Sequence, residues 1–443
     1  MDGRTSLTLI AVILYSGTAV AAGYGLKEFS AEAMSAAYAG SAAGGRDASY
    51  LPYNPATLAA VADADFAISL IGIFPRSEAN YTVALTAAGT PAGGSLTPGS
   101  FINNAPVPGF GVRKRLSERL AMGLSVSAPW GLSTKYSDSW AGRYHGLETK
   151  LLTVNVSPIV SYQLTPEIAV AAGLQAQYAD GKLTSAIDIG TIGALYAIPG
   201  SIPGAQDGKA AFKATDWAYG FTFGVMAHLG DNVTAGLAFR SAVDHTLEGP
   251  LTFRLDNAGL GAAIKAGTGL FTDTRAMTDL TTPEMINFGM RLKLSEEWSG
   301  LVEVDWTNWS RFRELRVVAS NTSQPDDVTI SNWKDAWFFS LGAEYQPNER
   351  WSLRAGAGYD ETPVPAATRG PRIPDAARTW ISAGAGFQVS DGIRINFSAA
   401  HLFIGKEEVG LTPAQPGNAL RGTLSGSTES GVNVLALQAA FTL

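Results

Sequence analysis

Hydrophobic and polar residues alternate along much of the chain. In residues 217–229, one set of alternate positions is almost entirely aromatic or aliphatic, and the positions between them are mostly small or polar. Residues 153–163, 168–178 and 286–294 show the same alternation. Successive side chains of a β-strand point to opposite faces, so a period of two predicts strands. An apolar face opposite a small or polar face suits a strand that lies between lipid and an aqueous lumen.

Fourteen such segments can be counted. They lie at residues 65–77, 107–116, 119–129, 149–164, 167–184, 212–229, 232–248, 282–295, 298–318, 335–346, 350–360, 377–389, 392–404 and 430–443. The connections alternate between short turns, such as Thr165-Pro166 and Asp391-Gly392, and long loops. Bacterial outer-membrane barrels have an even number of strands, short periplasmic turns and longer outer loops. The pattern therefore predicts an all-β, 14-stranded antiparallel transmembrane β-barrel over residues 65–443.

Aromatic residues near the predicted strand ends separate this fold from a soluble β-sandwich, which would also alternate. Membrane barrels carry aromatic girdles at both interfaces. The candidates are Tyr162, Tyr178, Trp217, Trp298, Trp306, Trp337, Trp351 and Trp380. The chain ends at Leu443, whereas barrels of this kind commonly end in an aromatic residue that the barrel assembly machinery recognises, and Phe441 lies two positions earlier on the same face.

The first 21 residues resemble an export signal. Arg4 precedes an apolar run at residues 7–15, and Ala19-Val20-Ala21 fits a cleavage site. The alternatives are an uncleaved anchor and a buried first helix. No later stretch approaches the ~18 consecutive apolar residues of a spanning helix. We therefore expect an exported protein of the bacterial outer membrane that crosses the bilayer only with strands.

Composition excludes several classes of protein. Only 16% of the residues are charged and 46% are hydrophobic, unlike a soluble domain with about 25% charged residues. The absence of cysteine excludes disulfides, thiolate nucleophiles and Cys-ligated metals. The net charge of −7 disfavours a nucleic-acid partner. The four histidines form no catalytic or metal-binding motif, so we predict no enzymatic activity, no cofactor and no metal.

Residues 22–64 do not alternate and are rich in Ala, Gly and Ser. A 14-stranded barrel has a lumen too wide for its own side chains to fill. We therefore predict that residues 22–64 form a hatch inside the lumen; the alternative is a disordered periplasmic tail. The larger apolar residues of the segment favour burial. These are Phe29, Met34, Tyr38, Leu51 and Tyr53.

Several short motifs occur in a fixed order. They are Glu28-Phe29-Ser30, Asn54-Pro55-Ala56, Trp306-Thr307-Asn308-Trp309-Ser310 with Phe312, Arg354-Ala355-Gly356, Tyr359-Asp360, Pro363-Val364-Pro365 and Arg372-Ile373-Pro374-Asp375 with Arg378. With the strand count, this set resembles the FadL/TodX (OmpP1) family of outer-membrane transporters for long-chain fatty acids and other hydrophobic compounds. The resemblance implies uptake by ligand-gated passive diffusion, with lateral release through an opening in the barrel wall.

The resemblance also implies which residues gate transport. It implies that Asn54, Pro55 and Ala56 of the hatch contact a kinked third strand. It also implies that the mature N-terminus, Ala22, Gly23 and Tyr24, moves when ligand binds. In the third strand, the sequence Ala128-Pro129-Trp130-Gly131 weakens pairing, because Pro129 has no N–H and Gly131 has no side chain. We expect the lateral opening here; the alternative is that Pro129 begins the following loop.

Outer loops at residues 185–211 and 249–281 carry apolar residues that either capture ligand or pack against one another. They include Ile192, Leu195, Tyr196, Leu260, Ile264 and Phe271. Lumen-facing charges could bind a carboxylate, but we expect most to fix the hatch through salt bridges. The sequence does not single one out from Arg291, Lys293, Glu303, Asp305, Glu344, Arg354, Asp360, Arg378 and Arg394.

Two other functions compete with hydrophobic uptake. A porin for hydrophilic solutes would need an open lumen without a hatch, and a structural or adhesion barrel would use its long loops without transport. We expect a monomer whose partners are a hydrophobic ligand (a fatty acid, an alkane or an aromatic compound), outer-membrane lipid and the barrel assembly machinery. Residues 78–106 receive no functional assignment.

Overall fold

A computed structural model describes residues 23–443, so the predicted signal peptide and Ala22 lie outside the described residues. Within this range, nineteen strand segments form one closed antiparallel sheet in which β1 pairs with both β2 and β19. They are β1 Ala64–Leu85, β2 Ala105–Arg115, β3 Leu120–Ser127, β4 Gly131–Lys135, β5 Glu148–Gln163, β6 Ile168–Asp188, β7 Asp207–Leu229, β8 Val233–Arg240, β9 Val243–Arg254, β10 Thr274–Thr282, β11 Met285–Lys293, β12 Trp298–Thr307, β13 Glu314–Ala319, β14 Asp327–Ile330, β15 Ala336–Tyr345, β16 Trp351–Asp360, β17 Arg378–Ser390, β18 Ile393–Leu411 and β19 Thr423–Thr442.

These segments make a barrel of fourteen strands, because five barrel strands are each split in two. The split strands are β3/β4, β8/β9, β10/β11, β12/β13 and β14/β15. The predicted strand count and antiparallel topology are confirmed. Two predicted segments that were taken as continuous are wrong in detail: 232–248 is interrupted at Ser241 and Ala242, between β8 and β9, and 298–318 is broken by a 3-10 turn at Trp309–Arg311.

Exposed and buried side chains alternate along the strands. Unlike in a soluble protein, the exposed side chains are apolar and many of the buried ones are polar. On β6, Leu174 is 66% exposed, whereas its neighbour Gln175 is 1% exposed. Tyr219 on β7 is 75% exposed, and Gln177 is fully buried. Apolar side chains therefore face outward to lipid, and polar side chains face the lumen.

Several strands extend beyond the predicted bounds on the loop side of the barrel. β1 continues to Leu85 instead of ending near 77, β18 continues to Leu411, and β19 begins at Thr423. The extension of β1 exposes polar residues such as Asn80 and Thr82. Once a strand leaves the membrane, both faces can be polar, so the hydrophobic alternation no longer marks it.

Helical structure is short. The α-helices are α1 Ala31–Met34, α2 Ile189–Leu195 and α3 Leu260–Thr268, and the 3-10 turns are Ala48–Tyr50, Pro55–Ala60 and Trp309–Arg311. None of the helices in residues 23–443 has the length and apolar character needed to cross a membrane. Helices α2 and α3 pack together in the outer loops, and α1 lies inside the barrel against β17, β18 and β19.

Candidate functional site

The segment before β1 fills the lumen and is bonded to the barrel wall. Gln438 of β19 accepts hydrogen bonds from the backbone N–H of Ala31 at 2.8 Å and from Ser30 Oγ at 3.1 Å. Glu303 of β12 is fully buried and accepts from Ser41 Oγ at 2.9 Å and from the Ala42 N–H at 3.1 Å. We refer to residues 23–63 as the hatch.

Charged residues of the wall fix the hatch further. Arg354 bonds to Glu32 of the hatch at 3.1 Å, and Arg46 of the hatch bonds to Glu344 at 3.1 Å. Lys27 forms an ion pair with Asp305. Of the nine lumen charges considered from sequence, four therefore bond directly to the hatch: Glu303, Asp305, Glu344 and Arg354.

Asn54-Pro55-Ala56 begins a 3-10 turn that lies against β7. The Asn54 side chain is fully buried, accepts from the Ala56 N–H at 2.9 Å, and donates to Ala42 O at 2.7 Å and Val225 O at 3.1 Å. A Cβ on Gly224 would come within 2.0 Å of Asn54 Oδ1, so the close approach requires glycine. The motif thus joins the hatch to the seventh strand-forming segment and does not lie at Pro129.

Backbone contacts with the interrupted third strand come instead from the start of the hatch. The Leu26 N–H donates to Pro129 O at 2.8 Å, and the Gly131 N–H donates to Tyr24 O at 2.8 Å. Residues Ala128, Pro129 and Trp130 separate β3 from β4, as the sequence predicted. The N-terminal part of the hatch therefore forms backbone hydrogen bonds with the third strand at the interruption between β3 and β4.

Trp130 points into the lumen at this interruption and is 1% exposed. Thr153 of β5 fixes its backbone, accepting from the Trp130 N–H at 3.0 Å through Oγ1 and donating to Trp130 O at 3.0 Å through its own N–H. Trp130 is therefore buried inside the barrel and does not belong to a solvent-exposed loop.

Four aromatic rings surround the ring of Tyr24. Its ring centroid lies 4.6 Å from that of Trp309, 5.6 Å from Phe312 and Trp333, and 6.0 Å from Trp130. We call these five residues the aromatic cluster. Gly23 packs so closely beside it that a Cβ there would lie 2.5 Å from Trp333, and its φ of +62° also favours glycine. The N-terminus of the hatch is thus fixed among rings contributed by three barrel strands.

A gap in the wall lies beside the third-strand interruption. The β2–β3 ladder ends where Phe110 pairs with Val126, and β4 pairs with β5. In the part of the chain that the structure describes, no ladder joins residues 105–109 of β2 to β4. We call this region the wall gap.

Two prolines mark the β2 side of the wall gap, and the sequence interpretation overlooked them. Pro106 and Pro108 alternate with Val107, so their missing N–H donors lie on one edge of β2. Because β1 pairs along the other edge of residues 105–114, the free edge faces the third strand. A pair of prolines at alternate positions of a barrel strand was the sequence signal that could have located this border.

Loop residues close the wall gap on its outer side. The Phe101 N–H donates to Ser77 Oγ at 3.2 Å, and Phe101 O accepts from the Lys135 N–H at 2.8 Å. The Phe101, Tyr136 and Trp140 rings stack, with centroids 5.1 and 4.3 Å apart. Part of the segment 78–106, which had no assignment from sequence, therefore bridges β1 and the end of β4 above the wall gap.

An outer cavity of about 860 Å³ opens among the loops. Ile192, Leu195, Tyr196 and Phe271 line it, as expected from sequence, and Leu195 is 70% exposed. Leu260 and Ile264 do not line this cavity; they are buried with Ile189 and hold α3 against α2. Four of the six predicted loop residues thus line a cavity, and the other two pack the loops against one another.

An inner cavity of about 290 Å³ lies between the outer cavity and the aromatic cluster. Phe312 and Trp333 of the cluster line it, together with His145, Arg372 and further loop residues. Four residues line both cavities: Ile330, Arg372, Pro416 and Arg421. On the opposite side of the cluster is a void of about 30 Å³, bordered by Leu26, Pro129 and Trp309. A series of spaces thus lies between the loops and the interruption of the third strand.

His145 and Arg372 are two of the polar residues that line the inner cavity. Burial, with smaller effects of Arg421 and Arg372, lowers the pKa of His145 to about 3, so the imidazole is neutral at neutral pH. Burial lowers the pKa of Arg372 to about 10, which leaves its guanidinium protonated. Neither residue was a site candidate from sequence, where Arg372 contributed only to a motif and His145 was set aside because no catalytic motif surrounds it.

Comparisons with known proteins agree with this architecture. A family model described as Outer membrane protein transport protein (OMPP1/FadL/TodX) matches residues 12–443. The long-chain fatty acid transport protein of Escherichia coli K12 is 27% identical over 418 residues, covering 90% of this chain and 91% of that protein. Outer membrane protein P1 of Haemophilus influenzae is 26% identical over 427 residues, covering 90% and 89%.

Solved structures share the fold. A Pseudomonas aeruginosa FadL homologue matches with a TM-score of 0.87 at 22% identity, covering 95% of this chain and 99% of that chain. The Pseudomonas putida toluene transporter TodX matches with a TM-score of 0.65 at 17% identity, covering 88% and 92%. Since the family model spans nearly the whole chain, this protein belongs to the OMPP1/FadL/TodX family of outer-membrane transport proteins.

Proposed function

We propose that this protein takes up long-chain fatty acids or similar hydrophobic compounds by passive diffusion and releases them sideways through the wall gap. The observation that carries the proposal is the wall gap itself, which adjoins the only strand interruption among the described residues that is paired with the hatch N-terminus. The names of the relatives, a long-chain fatty acid transport protein and a toluene transporter, support this class of cargo.

The cavities supply a route. Cargo would enter the outer cavity, pass Arg372 and Arg421 into the inner cavity, and meet the aromatic cluster. Tyr24 closes the cluster from the hatch side and is also bonded to the third strand through Gly131. Displacement of Tyr24 by cargo would therefore open the inner cavity toward the wall gap, and this displacement is the gating step that we propose.

Lateral release agrees with the energetics of apolar cargo. Transfer of a methylene group from an apolar site into water costs about 0.8 kcal/mol. A 16-carbon chain released into the periplasm would face a cost on the order of 10 kcal/mol. A hydrophilic porin would use the lumen instead, but the described hatch residues fill the lumen and are mostly buried. Release into the bilayer keeps the cargo in apolar surroundings.

Closing the wall gap covalently tests the proposal. The chain has no cysteine, so two introduced cysteines can be cross-linked selectively. Continuing the β2–β3 register beyond Phe110 and Val126 places Pro108 opposite Ala128. In a P108C/A128C variant, a short bismaleimide cross-link should strongly reduce uptake of radiolabelled palmitate by cells and leave palmitate binding by the purified protein intact.

The matched control lies on the same two strands. Lys114 and Met122 are paired in the closed part of the β2–β3 ladder, and both side chains are exposed. Cross-linking K114C/M122C should leave uptake unchanged. Normal palmitate uptake through cross-linked P108C/A128C would show that cargo leaves by another path.

A further inference from the structure

Arg372 occupies an unusual position between the two cavities. It is 7% exposed, and its backbone is fixed from β4 and the following loop: Thr134 Oγ1 donates to Arg372 O at 3.1 Å, and the Tyr136 hydroxyl donates to Pro371 O at 3.0 Å. Its side chain lies across Gly146, where a Cβ would come 3.0 Å from Arg372 Cγ. The guanidinium is therefore held in place before any cargo arrives.

The hydrogen-bonding capacity of Arg372 is mostly unused. Its Nη1 donates to Thr149 Oγ1 at 3.3 Å and to Thr184 O at 3.4 Å, which are long for such bonds. Among the described residues, its Nε and Nη2 donate to no atom, and no carboxylate forms an ion pair with it. A buried guanidinium is costly unless its charge is compensated. Two N–H directions thus remain for an anion.

Neighbouring carboxylates do not neutralise the positive charge of Arg372. The nearest acidic influence on Arg372 comes from Asp327, which is already paired with Arg421. Two guanidinium groups and one carboxylate leave a net positive charge where the two cavities meet. The loop conformation therefore places this positive charge in a cavity that is also lined by apolar residues, among them Leu411, Ile373 and Val364.

His145 adds a second unpaired polar group to the same cavity. It is 4% exposed, and neither ring nitrogen has a partner among the described residues. A neutral imidazole carries one N–H donor and one acceptor nitrogen. A carboxylate held by Arg372 could accept this donor with its other oxygen, so the two residues together match an anionic head group.

We propose that Arg372 and His145 form a carboxylate-binding site that selects hydrophobic compounds with an acidic head over neutral hydrocarbons of similar length. This assignment rests on the proposed function and names the substrate class within it. The carboxylate accepts from the planar guanidinium of Arg372, which suits two-point binding, and from the His145 ring N–H. The apolar tail lies in the inner cavity toward the aromatic cluster.

Equilibrium binding to the purified full-length protein in detergent tests the assignment, with radiolabelled dodecanoate and dodecan-1-ol as probes. Wild type should prefer dodecanoate. Arg372→Gln should weaken dodecanoate binding about 10- to 100-fold, the loss typical of a charge-assisted hydrogen bond, and change dodecan-1-ol binding much less. Arg372→Lys, which keeps the charge but not the planar fork, should retain part of the preference.

Arg275→Gln is the matched control, because Arg275 is an exposed arginine on the outer face of β10. It should bind both probes as wild type does. Unchanged dodecanoate affinity in Arg372→Gln, or equal wild-type affinity for both probes, would overturn the assignment and leave the proposed function standing. Loss of both probes in Arg372→Gln and Arg372→Lys alike would mark Arg372 as structural. If wild type binds neither probe, the proposed function itself fails.

Discussion

Single buried polar residues hold the hatch to the barrel, and Asn54 is one of them. Its side chain caps a 3-10 turn and bonds to carbonyls of the hatch and of β7. The Asn-Pro-Ala motif identifies Asn54 in the sequence, because an Asx residue before proline favours a turn. It could not show that the amide faces Val225, since that contact joins residues far apart in the sequence.

Replacing Asn54 with alanine should destabilise the protein by about 2 kcal/mol, because it removes a cap and leaves two buried carbonyls without their donor. The thermal unfolding midpoint, followed by heat-modifiable mobility on gels, measures the effect. Asn232→Ala, in an exposed turn, is the control and should behave as wild type. Equal midpoints for the two variants would mean that Asn54 does not secure the hatch.

His145 should make the outer loops sensitive to acid. Its pKa is lowered to about 3 in the folded protein, mainly by burial and further by Arg421 and Arg372, from 6.5. Between these values the unfolded segment binds a proton that the folded one does not, so stability falls as pH drops below about 6.5, by at most about 1.4 kcal/mol per pH unit.

Hydrogen exchange of the loop amides between pH 7 and pH 4, corrected for intrinsic rates, measures this sensitivity. His145→Gln lacks the titrating group, so its loops should lose less protection than those of wild type over the same range. An identical loss of protection in both proteins would show that another group controls the acid response.

At the level of elements, the sequence predicts the barrel well and its interruptions only in part. The alternation of apolar and polar positions counts strands because lipid and lumen impose it on every strand within the membrane. The break at Pro129 was predictable since proline removes a ladder donor. The break at Trp309–Arg311 was not, because its aromatic residues continue to resemble a strand while they turn inward to pack on Tyr24.

The β2 edge gives a prediction of its own. Replacing Pro106 and Pro108 with threonine supplies two N–H donors along the wall gap and a residue type that favours strands. The ladder between β2 and the third strand should lengthen, and palmitate uptake should fall several-fold with normal surface assembly. Pro166→Thr, in an exposed periplasmic turn, should leave uptake unchanged. Full uptake by the doubly substituted protein would show that the two prolines do not contribute to release.

In the whole molecule, the proposed cargo site and the hatch share one loop. Arg372 lines both cavities, and Asp375, three residues later, accepts a hydrogen bond from the backbone of Gly23 and is bonded to Arg378. Sequence placed the hatch in the lumen from the width of the barrel. It did not locate the cavities, because their walls combine loops that only the closed barrel brings together.

Removal of residues 23–27 tests this arrangement on the scale of the molecule. The deletion takes Tyr24 out of the aromatic cluster and removes both backbone bonds to the third strand, so the inner cavity should connect to the wall gap without cargo. Residues from Ser30 onward remain bonded to Gln438, Glu303 and Arg354, and the rest of the lumen stays filled. We therefore expect cells with this variant to become more sensitive to bulky hydrophobic antibiotics, whereas ion conductance in planar bilayers stays low. Large ohmic currents would instead mean that residues 23–27 hold the entire hatch in place, and unchanged antibiotic sensitivity would mean that Tyr24 does not close the route.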